Sequence, residues 1–185
     1  MKLASGSDNI AAERRVRAAV VFIALLVFGS PAHADDRAAP ATIAANQNWV
    51  VSLSGKVKHP QQFDLEILQR LPAQQVTVSY QAGRGVEEAS FTGVSLWTLL
   101  GEAGGIDDPA KRAELHHVIR ITARDGYVVV LSTGEIPPIF FGAKPALLAY
   151  RRNDEAPASA GFRLVMPGDK HGGRYVRDVV SIEVE

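Results

Sequence analysis

No cysteine occurs anywhere in the 185 residues. That absence excludes a disulfide, a thiolate metal ligand and a nucleophilic thiol, and it leaves the chain compatible with an oxidising compartment. An excess of either charge is also missing: 20 basic and 20 acidic side chains cancel, so nothing points to nucleic acid. There is no phosphate-binding Gly-Lys-Ser/Thr loop, no dinucleotide fingerprint after a strand, and no helical histidine pair followed by a glutamate. His116 and His117 are adjacent, and neighbours on a strand point to opposite faces, so they do not share one metal. Each is expected to be an ordinary surface or edge residue. None of the serines sits on a sharp strand-to-helix elbow, which removes the serine-hydrolase pattern.

What remains is the profile of one ordinary globular domain, 46% hydrophobic and 22% charged. Residues 1–34 are expected to be a secretory signal peptide. Arg14, Arg15 and Arg17 precede an apolar run from Ala18 to Phe28, and Ala32-His33-Ala34 supplies a cleavage site before Asp35. The apolar run is too short for a stable membrane span, so the mature chain is expected to be periplasmic with no transmembrane segment. Losing residues 1–34 removes Lys2, Arg14, Arg15 and Arg17 against Asp8 and Glu13, leaving 16 basic and 18 acidic groups on 151 residues. Residues 35–48, rich in Ala, Asp, Asn and Pro without apolar periodicity, read as a flexible leader. The domain is expected over residues 49–185.

Within it, Trp49 to Val57 alternates as a strand, and Asp64 caps a short helix reaching Arg70. Val76 to Tyr80 and Glu88 to Thr92 form paired strands. Ser95 caps a second helix with Leu96, Leu99 and Leu100 facing inward, and Trp97 is expected as a core anchor. His116 to Ala123, the Asp125-Gly126 turn and Tyr127 to Ser132 give a hairpin. Glu135 reads as a cap. Ala146 to Tyr150 reads as a further strand. About seven strands and two short helices, without strand-helix-strand alternation, specify an α+β domain with mixed or antiparallel sheets.

Chemistry concentrates in Gly161 to Arg177. Phe162 to Met166 reads as a buried strand interrupted by one charge, Arg163, and Pro167-Gly168 ends it. Gly172-Gly173 permits close backbone approach, and Tyr175 to Val184 reads as a returning strand. Lys170, His171 and Arg174 on the intervening loop, with free backbone N–H groups, suit an anionic or polar ligand.

The order Leu53-Ser54-Gly55-x-Val57-x-x-Pro60, Phe91-Thr92-Gly93-Val94-x-Leu96, Asp125-Gly126-Tyr127 and Phe162-Arg163-Leu164-Val165-x-Pro167-Gly168 resembles the oxidoreductase molybdopterin-binding domain, the sulfite-oxidase fold. The resemblance runs from about residue 49 to residue 184 and implies mixed β-sheets with a few short helices. It also implies a cysteine thiolate ligating molybdenum on the strand before the Phe-x-Gly-Val segment, where this chain carries Tyr80. A phenol, with a reference pKa of ~10 against ~8.5 for a thiol, is a poorer ligand at neutral pH, so molybdenum is not expected. Arg163, Gly172 and Arg177 match the positions that hold the phosphate and dithiolene end of the family's pterin cofactor.

The resulting expectation is a pterin- or molybdopterin-like ligand bound without molybdenum chemistry. Tyr80, Tyr127 and Tyr175 are candidate aromatic walls. Gln81, Arg84, Arg163, Asp169 and Arg174 are candidate polar partners, with Lys170, His171 and Arg177 completing a basic cradle. The expected role is an exported, non-catalytic sensor reporting to a membrane receptor. The alternatives are a molybdopterin-dependent oxidoreductase working with a redox partner, or an accessory subunit of one.

Overall fold

The computed structural model describes residues 49–141 and 145–185; the expected signal peptide and leader lie outside the described residues. A five-stranded sheet has the order β2-β1-β9-β5-β6: β1 is Val50–Gly55, β2 Gln61–Asp64, β5 Val118–Ala123, β6 Val128–Ser132 and β9 Val179–Val184. A four-stranded sheet has the order β3-β4-β7-β8, comprising Gln74–Ala82, Gly85–Ser95, Leu147–Arg152 and Arg163–Val165. β1 and β9 pair in parallel and every other pair is antiparallel. This is the expected α+β architecture with mixed sheets.

Period-two alternation builds the core. Ile119, Ile121 and Ala123 of β5 are buried while their neighbours are not, and Val129 and Leu131 repeat the pattern on β6. Residues from both sheets join one buried cluster with Leu68 of α1 (Leu65–Arg70) and Leu96, Leu99 and Leu100 of α2 (Leu96–Glu102). Both α-helix N-caps read from the sequence are present. Asp64 accepts from the Ile67 N–H at 2.8 Å, and Ser95 accepts from the Thr98 N–H at 3.0 Å. The β4–β7 register shifts between Thr92 and Gly93, where a β-carbon on Gly93 would run into the Leu148 backbone.

Several local expectations are corrected. Nine strands and three short α-helices occur among the described residues, more than read from the sequence. The additions are short or polar: β2 carries Gln61, Gln62 and Asp64, and α3 is only Pro138–Phe141. Trp97 is not a core anchor, since 39% of it is exposed. His117 is not at the surface. It is 7% exposed, with Nδ1 3.0 Å from the Glu185 carbonyl oxygen and Nε2 2.8 Å from Asp108 Oδ2.

The largest correction concerns the stretch from Gly161 to Arg177, which is not the tip of a hairpin. β8 and β9 belong to different sheets. The segment after β8 starts back as a hairpin would, with Leu164 N–H donating to the Val176 carbonyl at 2.8 Å and a bridge pairing Arg163 with Arg177. Asp178 then adopts a left-handed conformation, φ 58°, and β9 begins at Val179 in the five-stranded sheet. The glycine-rich loop is therefore a crossover between sheets, and a cleft forms where it passes the end of β3.

Candidate functional site

β3 delivers Tyr80 and Gln81 to this cleft. The two-residue turn Gly83-Arg84 sets Tyr80 opposite Glu87 on β4, and alternation turns Tyr80 inward with Val78. The phenol O–H donates to Glu87 Oε2 at 3.0 Å, and Arg152 Nη2 reaches the same oxygen at 3.4 Å. The Tyr80 ring stacks on Tyr175, with centroids 4.1 Å apart and planes inclined by 22°. Tyr175 in turn donates to the Met166 carbonyl at 3.1 Å.

Tyr80, Gln81, Arg163, His171, Tyr175 and Arg177, with the backbone of Gly172 and Gly173, line a cleft of about 450 Å³. Gly172 lies close against the Tyr80 ring, where a β-carbon would sit a tight 3.1 Å from Cδ2 and Cε2. Arg163 is half-buried and places its guanidinium 5.5 Å from the Phe91 ring centroid. Among the described residues, no carboxylate forms an ion pair with Arg163 or Arg177. Burial, followed by the charge of Arg177, lowers the pKa of Arg163. Arg163 and Arg177 thus face one cleft with no carboxylate in ion-pair contact, an arrangement that suits an anionic group.

The other sequence candidates stand outside the cleft lining. Arg84 is exposed in the β3–β4 turn. Arg174 is committed elsewhere, donating to both oxygens of Asp169 at 2.8 and 2.6 Å and to Glu135 Oε2 at 2.7 Å, and these carboxylates raise its pKa. Glu135 also accepts from the Ser132 N–H at 3.2 Å, so the cap read from sequence doubles as a loop anchor. Asp169 and Lys170 line a neighbouring cleft of about 380 Å³ against Val76 to Ser79. Lys170 meets the site through its backbone, whose carbonyl accepts from Gln81 N–H at 2.8 Å. Tyr127 is not a wall: its hydroxyl donates to the Gly173 carbonyl at 2.7 Å and latches the loop from the β5–β6 hairpin. Sequence reasoning missed Glu87 and Arg152. The two-residue hairpin, which fixes Glu87 opposite Tyr80, was the signal that locates the first of them.

The oxidoreductase molybdopterin-binding domain model matches residues 38–185. The chain belongs to this family. Among solved structures, the sulfane dehydrogenase SoxCD from Paracoccus pantotrophus matches with a TM-score of 0.59 at 20% identity. That match covers 74% of this chain and only 38% of the SoxCD chain, so it shows the sulfite-oxidase-like fold. No curated protein matches the chain.

Family membership implies a molybdopterin-type ligand, and the residues fit one part of it and not the other. Arg163, Arg177 and the loop backbone suit an anionic group. Tyr80, which the family resemblance sets at the metal-ligating thiolate, is buried and donates its hydroxyl to Glu87. Burial first, then the hydrogen bond and charge of Glu87, raise its pKa above 10.0. Burial likewise pushes Tyr175 up to about 12. A phenol held protonated against a carboxylate is the wrong donor for molybdenum.

Proposed function

We propose that this chain is an exported ligand-binding module of the molybdopterin-binding fold that takes a pterin-like heterocycle carrying an anionic group, without molybdenum redox chemistry. The observation that supports it is a split within one cleft. The basic cradle, Arg163 and Arg177, carries no ion-paired carboxylate, while Tyr80, where the family resemblance implies the metal ligand, is tied to Glu87 and Tyr175.

In this reading the guanidinium groups hold the anion by charge-assisted hydrogen bonds. Gln81, His171 and the backbone of Gly172 and Gly173 meet the polar edge of the heterocycle, and Tyr80 with Tyr175 closes the floor. A periplasmic module of this kind would report ligand occupancy to a membrane receptor. The test is mass spectrometry with metal analysis on protein purified from its own host, followed by titration with a pterin and with its phosphate ester. A metal-free pterin recovered near stoichiometry, and tighter binding of the ester, support the proposal. Stoichiometric molybdenum returns the chain to the oxidoreductases, and failure to bind either pterin removes the ligand class.

A further inference from the structure

β6 ends the five-stranded sheet. Its pairing with β5 is unbroken from Val118 opposite Ser132 to Thr122 opposite Val128. Ala123 N–H donates to the Tyr127 carbonyl and Thr133 N–H to the His117 carbonyl. Because antiparallel main-chain groups alternate in direction, Val129 and Leu131 bond toward β5, while Val128 and Val130 turn their N–H and C=O groups outward. Ser132 also faces outward, but its N–H is taken by Glu135 at 3.2 Å. Among the described residues no strand pairs with this edge.

The other sheet edges each carry a device that discourages pairing. β2 has four residues, follows Pro60 and is mostly polar. β3 begins Gln74-Gln75, and near its far end Lys170 already occupies the outward N–H of Gln81. β8 has three residues and starts with Arg163. β6 reads Val-Val-Val-Leu-Ser, with no proline, charge or bulge, and Val128 and Val130 are 40% and 49% exposed. Natural sheets blunt such an edge or cover it.

We propose that β6 pairs with β6 of a second copy, extending the sheet across a two-fold axis at Val129. Setting Val128 opposite Val130 of the second copy engages every outward group of both valines and leaves the Ser132 N–H on its cap. The strand is self-complementary in this register, and being uncharged it meets itself without like-charge repulsion. Arg120 and Glu183 lie one and two strands inward and keep their solvent. The pairing does not depend on what the cleft binds.

Sedimentation velocity of the purified protein across a micromolar concentration series, with Val128→Lys and Val130→Pro beside it, tests this. Neither substitution touches a β5–β6 main-chain bond. The expected result is a dimer for the unmodified chain and folded monomers for both variants. Hydrogen exchange on the unmodified chain should show Val128 and Val130 amides whose protection grows with concentration. A monomer throughout, a dimer surviving both substitutions, or protection independent of concentration overturns the proposal; the last would mean that the chain covers its own edge.

Discussion

The Tyr80 hydroxyl donates to Glu87 at 3.0 Å while its ring lies stacked on Tyr175, so the phenol is held neutral from its edge and its face together. Burial is the largest cause raising the pKa of Tyr80, and Tyr175 is pushed up to about 12 by burial first and then by the negative charge of Asp169 and, once it ionises, of Tyr80. An unfolded tyrosine titrates near ~10, so above that pH the folded state keeps protons that the unfolded state has lost. The contribution is complete below the unfolded value and disappears as pH rises through the folded values. Urea unfolding followed across this alkaline window should show stability falling, and Tyr175→Phe should flatten the fall. An identical slope in the variant would place the titrating group elsewhere.

Arg163 sets ligand binding against stability. Its charge is half-buried beside Arg177, with no ion-pair partner among the described residues. Arg163→Met should therefore raise the stability of the ligand-free protein by about 1 kcal/mol after allowing for solvent screening. The same change should weaken binding of a pterin phosphate by about 1.5–3 kcal/mol, the scale of a charged hydrogen bond. Thermal denaturation and a binding titration on one preparation measure both signs. A variant that loses stability would make Arg163 a structural residue.

Two neighbouring glycines give an internal control. A β-carbon at Gly172 would press the Tyr80 ring at 3.1 Å, whereas at Gly173 it would meet nothing within 4 Å. Gly172→Ala should cost about 1–3 kcal/mol and alter the near-ultraviolet dichroism of the stacked pair, because the ring or the loop has to move. Gly173→Ala should leave both unchanged. Equal effects at the two positions would show that backbone freedom, and not the contact with Tyr80, is what the loop requires.

Local features were legible where the causing residues are neighbours in sequence. Asp64 and Ser95 cap the helices they precede, and Asp125 accepts from the Tyr127 N–H at 2.9 Å to close its turn. The family resemblance supplied the fold and drew attention to Tyr80 and Arg163. The partition of the basic loop was not legible, because it depends in part on a carboxylate distant in sequence. Arg174 and Arg177 look alike in sequence, yet Glu135, 39 residues away, together with Asp169 engages the first and leaves the second facing the cleft. The apparent hairpin misled for a related reason: apolar runs on both sides of a glycine turn satisfy either one sheet or two, and the left-handed Asp178 decides between them.

His117 ties the C-terminal strand to the loop after α2, and the contribution of its partner Asp108 should be lost in acid. Its ring lies between the Glu185 carbonyl at Nδ1 and Asp108 Oδ2 at Nε2, 3.0 and 2.8 Å away. Both neighbours are acceptors, so each ring nitrogen faces an oxygen. The Ala110 N–H first, and then His117, hold the Asp108 carboxyl below its usual range. Since the folded value is the lower one, this stabilisation is present above the unfolded carboxyl value of ~3.9 and disappears as pH falls through the folded value. Urea unfolding from neutral pH into acid should show Asp108→Asn less stable than the unmodified chain, with the gap closing in acid as the carboxylate is protonated. The substituted side chain still offers Ala110 an acceptor, so the gap reports the charge on His117's partner. A gap that stays constant into acid would assign the effect to packing at Asp108.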